Sequence, residues 1–327
     1  MKSLQNRNIR WGIIGLGNIA NTFAQDLLTV EGCELYAVAS RSQRRSDEFA
    51  QKYQATQAFC SYDDLVNDIN VDAIYIATPH ALHKEHALLC LQRGVAVLCE
   101  KPFAMNISEV TNMISIAKEN NVLLMEAMWT YFLPHYQFVL EQLNNKTCGA
   151  LLKVEADFGF MQEFDSKSRL FKKSLGGGSL LDIGIYPIFA ALSTLGVPES
   201  LTANATFFDN GADSSCVMRF NYNCGANALL KSTLLENTAC EALFHCERAI
   251  IKLNRHFHCP TTVTIIKGSK QETINFDIKT NGYSYEINHF NELLRQGKTE
   301  SDVMTFNFSQ KLMMTLDKIR STIGLTY

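Results

Sequence analysis

Short apolar runs alternate with stretches of helical periodicity over the first part of the chain. The pattern predicts strands at Ile9 to Ile14, Glu34 to Ala39, Ala73 to Ala77, Val95 to Cys99 and Val122 to Met125. Between them it predicts helices over Ala20 to Leu28, Ser46 to Tyr53, His83 to Arg93 with Gly94 as the cap, and Ser108 to Asn120. Such alternation calls for a parallel sheet with right-handed crossovers. After about Trp129 the apolar positions alternate with polar ones instead, at Lys153 to Phe160, Leu201 to Phe208, Cys216 to Phe220, Ala226 to Leu235, Val263 to Lys267 and Thr273 to Ile278. These runs read as a largely antiparallel sheet. Helical segments at about Ser179 to Leu195, Ser284 to Arg295 and Phe308 to Ile323 are expected to pack on one of its faces. The fold class is therefore an α/β Rossmann domain with a doubly wound parallel sheet, assigned to residues 1–128, followed by an α+β domain over 129–327.

At 327 residues each of two domains can bury its own core. Hydrophobic residues make up 46% of the chain, charged residues 19%, and the formal net charge is -3, which offers no basic field to a nucleic-acid backbone. The cluster Arg41, Arg44, Arg45 is too short to change that. The ten cysteines include no C-x-x-C pair, and no basic leader runs into a long apolar segment, so free thiols and a cytoplasmic location are expected. No apolar run reaches the roughly 20 residues of a membrane span, and the expected partner is a small molecule, not a membrane or nucleic acid.

Gly15, Gly17 and Ala20 follow the first strand at G-x-G-x-x-A spacing, the fingerprint of a dinucleotide site. The first glycine permits a tight turn, the second lets backbone amides approach a pyrophosphate, and the small third residue lets helix and strand pack closely. Ligands of an open parallel sheet lie beyond the carboxyl ends of its strands. Those ends carry Ser40 and Arg41, then Thr78-Pro79-His80, then Glu100-Lys101-Pro102, then Glu126-Ala-Met-Trp129. The carboxylate that grips NAD ribose about 20 residues past the glycines is absent, and Arg41 stands there instead, whose planar fork suits a 2′-phosphate. NADP is the expected cofactor, with NAD as the alternative. The cofactor-side set is Gly15, Gly17, Asn18, Ile19, Ser40, Arg41, Arg44, Thr78, Pro79, His80, His83, Glu100 and Lys101. Lys101, directly after a buried strand, is expected to be partly desolvated, which lowers a lysine pKa and suits it to proton exchange. His80, His83 and His86 lack further ligands at zinc spacing and are read as solvated or cofactor-adjacent groups, with no metal.

Further on, Gly176-Gly-Gly178 precedes Ser179-Leu-Leu-Asp182-Ile-Gly-Ile-Tyr186-Pro187. In a helix Asp182 and Tyr186 share a face at i and i+4, and Pro187 would kink it. Trp129, Phe158 and Phe160 are the aromatics placed to line a cleft.

The segments Gly15-Leu-Gly-Asn-Ile-Ala20, Glu100-Lys101-Pro102, Glu126-Ala-Met-Trp129 and Gly176 to Tyr186, in that order, resemble the glucose-fructose oxidoreductase/inositol dehydrogenase (Gfo/Idh/MocA) family. The similarity spans nearly the whole chain. Tyr186, where much of that family has a histidine, matches its dihydrodiol dehydrogenase branch, which includes NADP-dependent D-xylose dehydrogenase activity; Tyr131 departs from an arginine usual in that branch. The resemblance implies an open-faced second sheet that mediates dimerisation, and it places Lys101 and Asp182 in a catalytic cleft. It implies an NADP-dependent oxidoreductase moving a hydride to or from a carbinol of a sugar or cyclic diol. Tyr186 would exchange the hydroxyl proton, Lys101 would hydrogen-bond that oxygen and lower the tyrosine pKa, and Asp182 would orient substrate or lysine. Trp129, Phe158 and Phe160 would form the apolar walls. The competing reading is a cofactor-binding sensor or regulator of the same fold without catalysis; the intact Lys101, Asp182 and Tyr186 speak against it.

Overall fold

The computed structural model describes residues 7–327, which divide into two compact units, 7–129 with 279–310 and 130–278 with 311–327. In chain order the first stretch holds β1 (Ile9–Ile14), α1 (Asn18–Leu27), β2 (Cys33–Ala39), α2 (Gln43–Tyr53), β3 (Gln57–Phe59), α3 (Tyr62–Asn67), β4 (Ala73–Ile76), α4 (His83–Leu91), β5 (Ala96–Glu100), α5 (Ile107–Asn120) and β6 (Leu124–Ala127). The strands form one parallel sheet in the order β3-β2-β1-β4-β5-β6. The order reverses beside β1, which puts the switch point at the glycine turn. Burial of Ile9, Trp11, Ile13 and Ile14 with no exposed surface explains why β1 reads as a continuous apolar run.

Then follow α6 (Pro134–Asn144), β7 (Leu151–Gly159), α7 (Ile185–Leu195), β8 (Ser200–Phe207), β9 (Asp213–Asn221), β10 (Asn227–Thr233), β11 (Ala242–Cys246), β12 (Ile250–Leu253), β13 (Val263–Lys267), β14 (Lys270–Ile274), α8 (Tyr283–Arg295) and α9 (Phe306–Ile323). The second sheet runs β14-β13-β12-β11-β7-β10-β9-β8, antiparallel except for the central β10/β7 pair. One face is core: Val154 and Ala156 of β7, Cys216, Met218 and Phe220 of β9, and Ala228 and Leu230 of β10 are buried, and α7 packs on β7 and β10. The other carries a charged ladder in which Glu155 accepts from Lys153 at 2.5 Å and lies 2.7 Å from His245.

Three expectations are corrected. Helix α8 does not lie on the second sheet: it packs on α1, and the Asp26 carboxylate at the end of α1 accepts from the N–H groups of Asn281, Tyr283 and Ser284 at 2.9, 2.8 and 3.2 Å. An acid at a helix N-terminus satisfies orphan donors and complements the dipole, and Trp11 completes the attachment by donating to Asn291 at 3.0 Å. The terminal sheet strand is Lys270–Ile274, starting three and ending four residues earlier than expected. Finally, Lys173–Leu195 is long and apolar enough by composition to cross a membrane, against the expectation that no stretch is; 94% of its apolar window is buried inside the fold, which accounts for its hydropathy.

Candidate active site

The glycine turn is built as its spacing requires. Gly15 sits at φ +89°, and a Cβ there would lie 2.8 Å from Thr78 Cγ2 and 2.9 Å from the Ala77 carbonyl, so the turn excludes every other residue. Gly17 caps α1 without a side-chain hydrogen bond, no acid stands in the first turn, and among the described residues no atom beyond Gly17 and its chain neighbours lies within 4 Å of where its Cβ would be. That leaves a concave backbone surface at the positive end of a helix dipole, which fits a pyrophosphate. Ala20 is fully buried, as close helix–strand packing demands.

At the end of β2, Ser40 Oγ accepts from Ser42 N–H at 3.2 Å and Ser40 N–H donates to Ser46 Oγ at 3.0 Å, which fixes the turn that presents the exposed Arg41. Arg44 is also exposed. Its guanidinium pairs with Glu48 at 2.9 Å on the outer face of α2, whereas Arg45 donates to the Leu16 carbonyl of the glycine turn at 3.3 Å. Burial raises the Tyr62 pKa against the opposing pull of Arg41 and Arg45, so both cations stand near that ring.

The histidines are not solvated. His80, His83 and His86 are all buried. His83 has no exposed surface, and its Nδ1 and Nε2 lie 2.9 Å from the Pro102 carbonyl and 2.8 Å from the Thr78 carbonyl. Burial, helped by His80, pushes its pKa down to about 3, so the ring is neutral and donates through one nitrogen. His83 is therefore packed between the end of β4 and the Lys101–Pro102 turn, donating to one of the two carbonyls, and its full burial leaves no exposed surface for the cofactor contact expected of it. His86 lies 3.0 Å from Thr78 Oγ1 through Nδ1.

Lys101 emerges half-buried at the end of β5, before a cis peptide to Pro102. The preceding Glu100 accepts from the Tyr75 hydroxyl and, through Oε2, from the Lys101 N–H at 3.1 Å, so the strand end that carries the lysine is held from both sides. Behind it, Glu126 accepts from Phe103 N–H at 3.0 Å. Burial, together with Glu100, raises its pKa from 4.5 to about 7. The unfolded chain then releases this proton at lower pH than the folded one, so the contribution to stability is fully present below about 4.5 and is lost as pH rises through 7. Glu126→Gln is expected to flatten that part of the stability–pH curve and to gain about 3 kcal/mol on the wild type at pH 8; denaturant midpoints from pH 4 to 8 measure it, and parallel curves would refute it. Trp129, beyond β6, is 6% exposed and stacks on Tyr283 at 4.5 Å and 8°.

In the second unit a wide helical turn of i→i+5 type, Leu180–Gly184, carries Asp182 and runs directly into α7, whose second residue is Tyr186. The wide turn precedes Pro187, where the missing N–H would otherwise leave a gap in the ladder. Asp182 Oδ1 lies 3.6 Å from the Arg169 guanidinium. Tyr186 is 5% exposed, with Phe158 at 5.7 Å and His258 at 4.8 Å between ring centroids. Phe160 lies 6.2 Å from Phe158 and packs on the cluster of Phe171, Ile183 and Leu234, so it supports the core as well as the wall. Sequence reasoning missed Arg45, Arg169 and His258. Arg45 stands in the same basic cluster as Arg41 and Arg44; the other two lie in irregular segments without a motif.

These features agree with what the chain resembles. The "Oxidoreductase family, NAD-binding Rossmann fold" profile of Gfo/Idh/MocA proteins matches residues 9–128, and the Gfo/Idh/MocA C-terminal domain profile matches 136–252. The chain belongs to this oxidoreductase family. It is 33% identical over 330 residues to trans-1,2-dihydrobenzene-1,2-diol dehydrogenase of Xenopus tropicalis, covering 97% of this chain and 99% of that one. It is equally 33% identical to the scyllo-inositol 2-dehydrogenase (NADP(+)) of Bacillus subtilis, covering 98% of each. Among solved structures, a 3-ketoreductase from Actinomadura kijaniata in complex with NADP and TDP-benzene superposes with a TM-score of 0.88 at 25% identity, covering 97% of this chain and 98% of that one.

Proposed function

We propose that the protein is an NADP(H)-dependent dehydrogenase acting on a carbinol of a sugar, cyclitol or cyclic diol. The observation that carries the reading is the gathering, at the carboxyl ends of one parallel sheet, of a glycine cradle, two cations in place of the ribose-binding acid, and a lysine fixed by the Glu100 contacts. The names of the dihydrodiol and inositol dehydrogenase relatives support the substrate class. Gly15, Gly17 and the first turn of α1 would hold the pyrophosphate, and Arg41 with Arg45 the 2′-phosphate. The bound nicotinamide supplies the hydride acceptor. Tyr186 would take the carbinol proton at its phenol oxygen, the Lys101 ammonium would favour the phenolate, and Asp182 would orient the lysine or a substrate hydroxyl. Phe158 and Trp129 would exclude water from the ring being oxidised.

The cofactor assignment has a direct test. Charge-assisted hydrogen bonds contribute about 1.5–3 kcal/mol, so the wild type is expected to favour NADP over NAD by about 10–100-fold in kcat/KM, and Arg41→Asp to erase or reverse that ratio. Equal efficiencies in the wild type would remove the phosphate role. We further propose a homodimer through the sheet face opposite α7, supported by the half-buried charged ladder of Lys153, Glu155 and His245. A stable monomer in sedimentation at micromolar concentration would refute it. A reducing cytoplasm is the proposed compartment, in keeping with ten free cysteines.

A further inference from the structure

Behind the turn that carries Asp182, two buried polar atoms have no hydrogen-bond partner among the described residues: Asp213 Oδ1 and the hydroxyl oxygen of Tyr327. Asp213 has no exposed surface, and its other oxygen, Oδ2, is engaged, accepting from Ser179 Oγ at 2.8 Å and Leu180 N–H at 2.7 Å. Tyr327 follows the end of α9, where its ring lies against Arg320, whose guanidinium carbon stands 5.2 Å from the ring centroid. Arg320 is itself held, paired with Asp317 at 2.5 Å and accepting at its carbonyl from Leu325 N–H at 2.9 Å.

The two atoms are complementary. Burial, with the carboxyls of Asp213 and Asp182 close by, pushes the Tyr327 phenol well above its usual value, against the opposing pull of Arg320. The hydroxyl therefore keeps its proton and is a donor, while Asp213 Oδ1 is an acceptor. They do not bond to each other directly. Buried polar groups that lack a direct partner are satisfied by internal water, which typically makes about three hydrogen bonds. Arg320 Nε, also buried and unpartnered among the described residues, supplies a third group at the same place.

We infer that one internal water joins the Tyr327 hydroxyl to Asp213 Oδ1, and that Tyr327 is thereby a positioning residue for the turn that presents Asp182 and leads into Tyr186. The inference rests on the proposed roles of those two residues. Oδ2 alone ties the carboxylate to Ser179 and Leu180, the start of the turn, and leaves it free to rotate about those contacts. Holding Oδ1 removes the rotation, and a turn so fixed delivers its side chains preorganised.

The test is a double-mutant cycle, with kcat measured on whichever of scyllo-inositol, D-xylose and trans-1,2-dihydrobenzene-1,2-diol the wild type oxidises with NADP. Tyr327→Phe removes only the hydroxyl and is expected to lower kcat about 5–20-fold, with KM for NADP unchanged. Asp213→Asn keeps an oxygen for Ser179 and Leu180 but places an N–H2 at the Oδ1 position, so it breaks the same link from the other side and should lose a similar factor. The double variant is expected to lose no more than about twice the larger single loss, because one link is removed in all three. Losses that multiply, or a kcat in Tyr327→Phe within about twofold of wild type, overturn the inference. A crystal structure of the wild type decides the matter where Asp213→Asn does not fold: a water within hydrogen-bond reach of both atoms supports the link, and none there overturns it. Wild-type protein that oxidises no sugar, cyclitol or diol overturns the site reading, and this role of Tyr327 with it.

Discussion

Tyr186→Phe is expected to lower turnover by about a hundredfold or more while fold and NADP affinity survive. The loss follows from the chemistry assigned to the phenol: general acid–base groups contribute on the order of 10²–10⁴-fold. A phenol ordinarily ionises near about 10 and needs a neighbouring cation to act near neutrality, which is the part given to Lys101. Survival of the fold follows from packing. The Tyr186 ring lies against Phe158 and His258 in the first turn of α7, and phenylalanine keeps those contacts. Lys101→Met is expected to lose turnover comparably. The double variant should lose less than the product of the two, because both groups act on one proton transfer. Steady-state rates read from nicotinamide absorbance provide the measurement. Near-normal turnover in Tyr186→Phe, with a full primary isotope effect on the transferred hydride showing that chemistry limits the rate, would make Tyr186 a packing residue and leave Lys101 as the acid–base group.

The elements that alternation and periodicity predict well are those long enough to show a period. The β1 run and the helices α5 and α9 differ from expectation by at most two residues at an end. Several elements escaped, among them the 11-residue helix α6 and the strands β11 and β12, and others were too short or set by distant contacts. β3 has three residues and α3 six, too few to show a period, although the cap in which Ser61 accepts from Asp64 N–H was written in the chain. The placement of α8 was out of reach for another reason: the acid that caps it, Asp26, lies more than 250 residues earlier. The same holds at the site. Strand-end position put Lys101, Thr78 and Arg41 along one edge of the parallel sheet, because topology sends strand ends there. It could not separate Arg44 from Arg45, nor reveal that His83 is fully buried with both ring nitrogens facing backbone carbonyls. His258 became visible only when the fold brought it to Phe158 and Tyr186.

Gly178→Ala is expected to cost about 3–5 kcal/mol of stability, the largest structural effect among these substitutions. Gly178 sits at φ +128°, and a Cβ there would fall 2.1 Å from Asp213 Oδ1. The carboxylate cannot retreat, because Oδ2 accepts from Ser179 Oγ at 2.8 Å and Leu180 N–H at 2.7 Å, and the whole side chain is buried. An unfavourable backbone conformation costs about 1–3 kcal/mol and overpacking a similar amount. Moving Asp213 would uncap the turn that leads to Asp182 and Tyr186, so turnover should fall together with stability. Gly17→Ala is the contrast. It is a glycine of the proposed site, but among the described residues no atom beyond its chain neighbours lies within 4 Å of the added methyl, and its φ is -89°. Its stability should therefore change by less than about 0.5 kcal/mol, while KM for NADP rises because the methyl occupies the cradle proposed for the pyrophosphate. Urea midpoints and NADP titrations on the two variants separate the cases. A loss below about 1 kcal/mol in Gly178→Ala would show that the Asp213 cap yields, and unchanged NADP affinity in Gly17→Ala would show that the pyrophosphate does not use that surface.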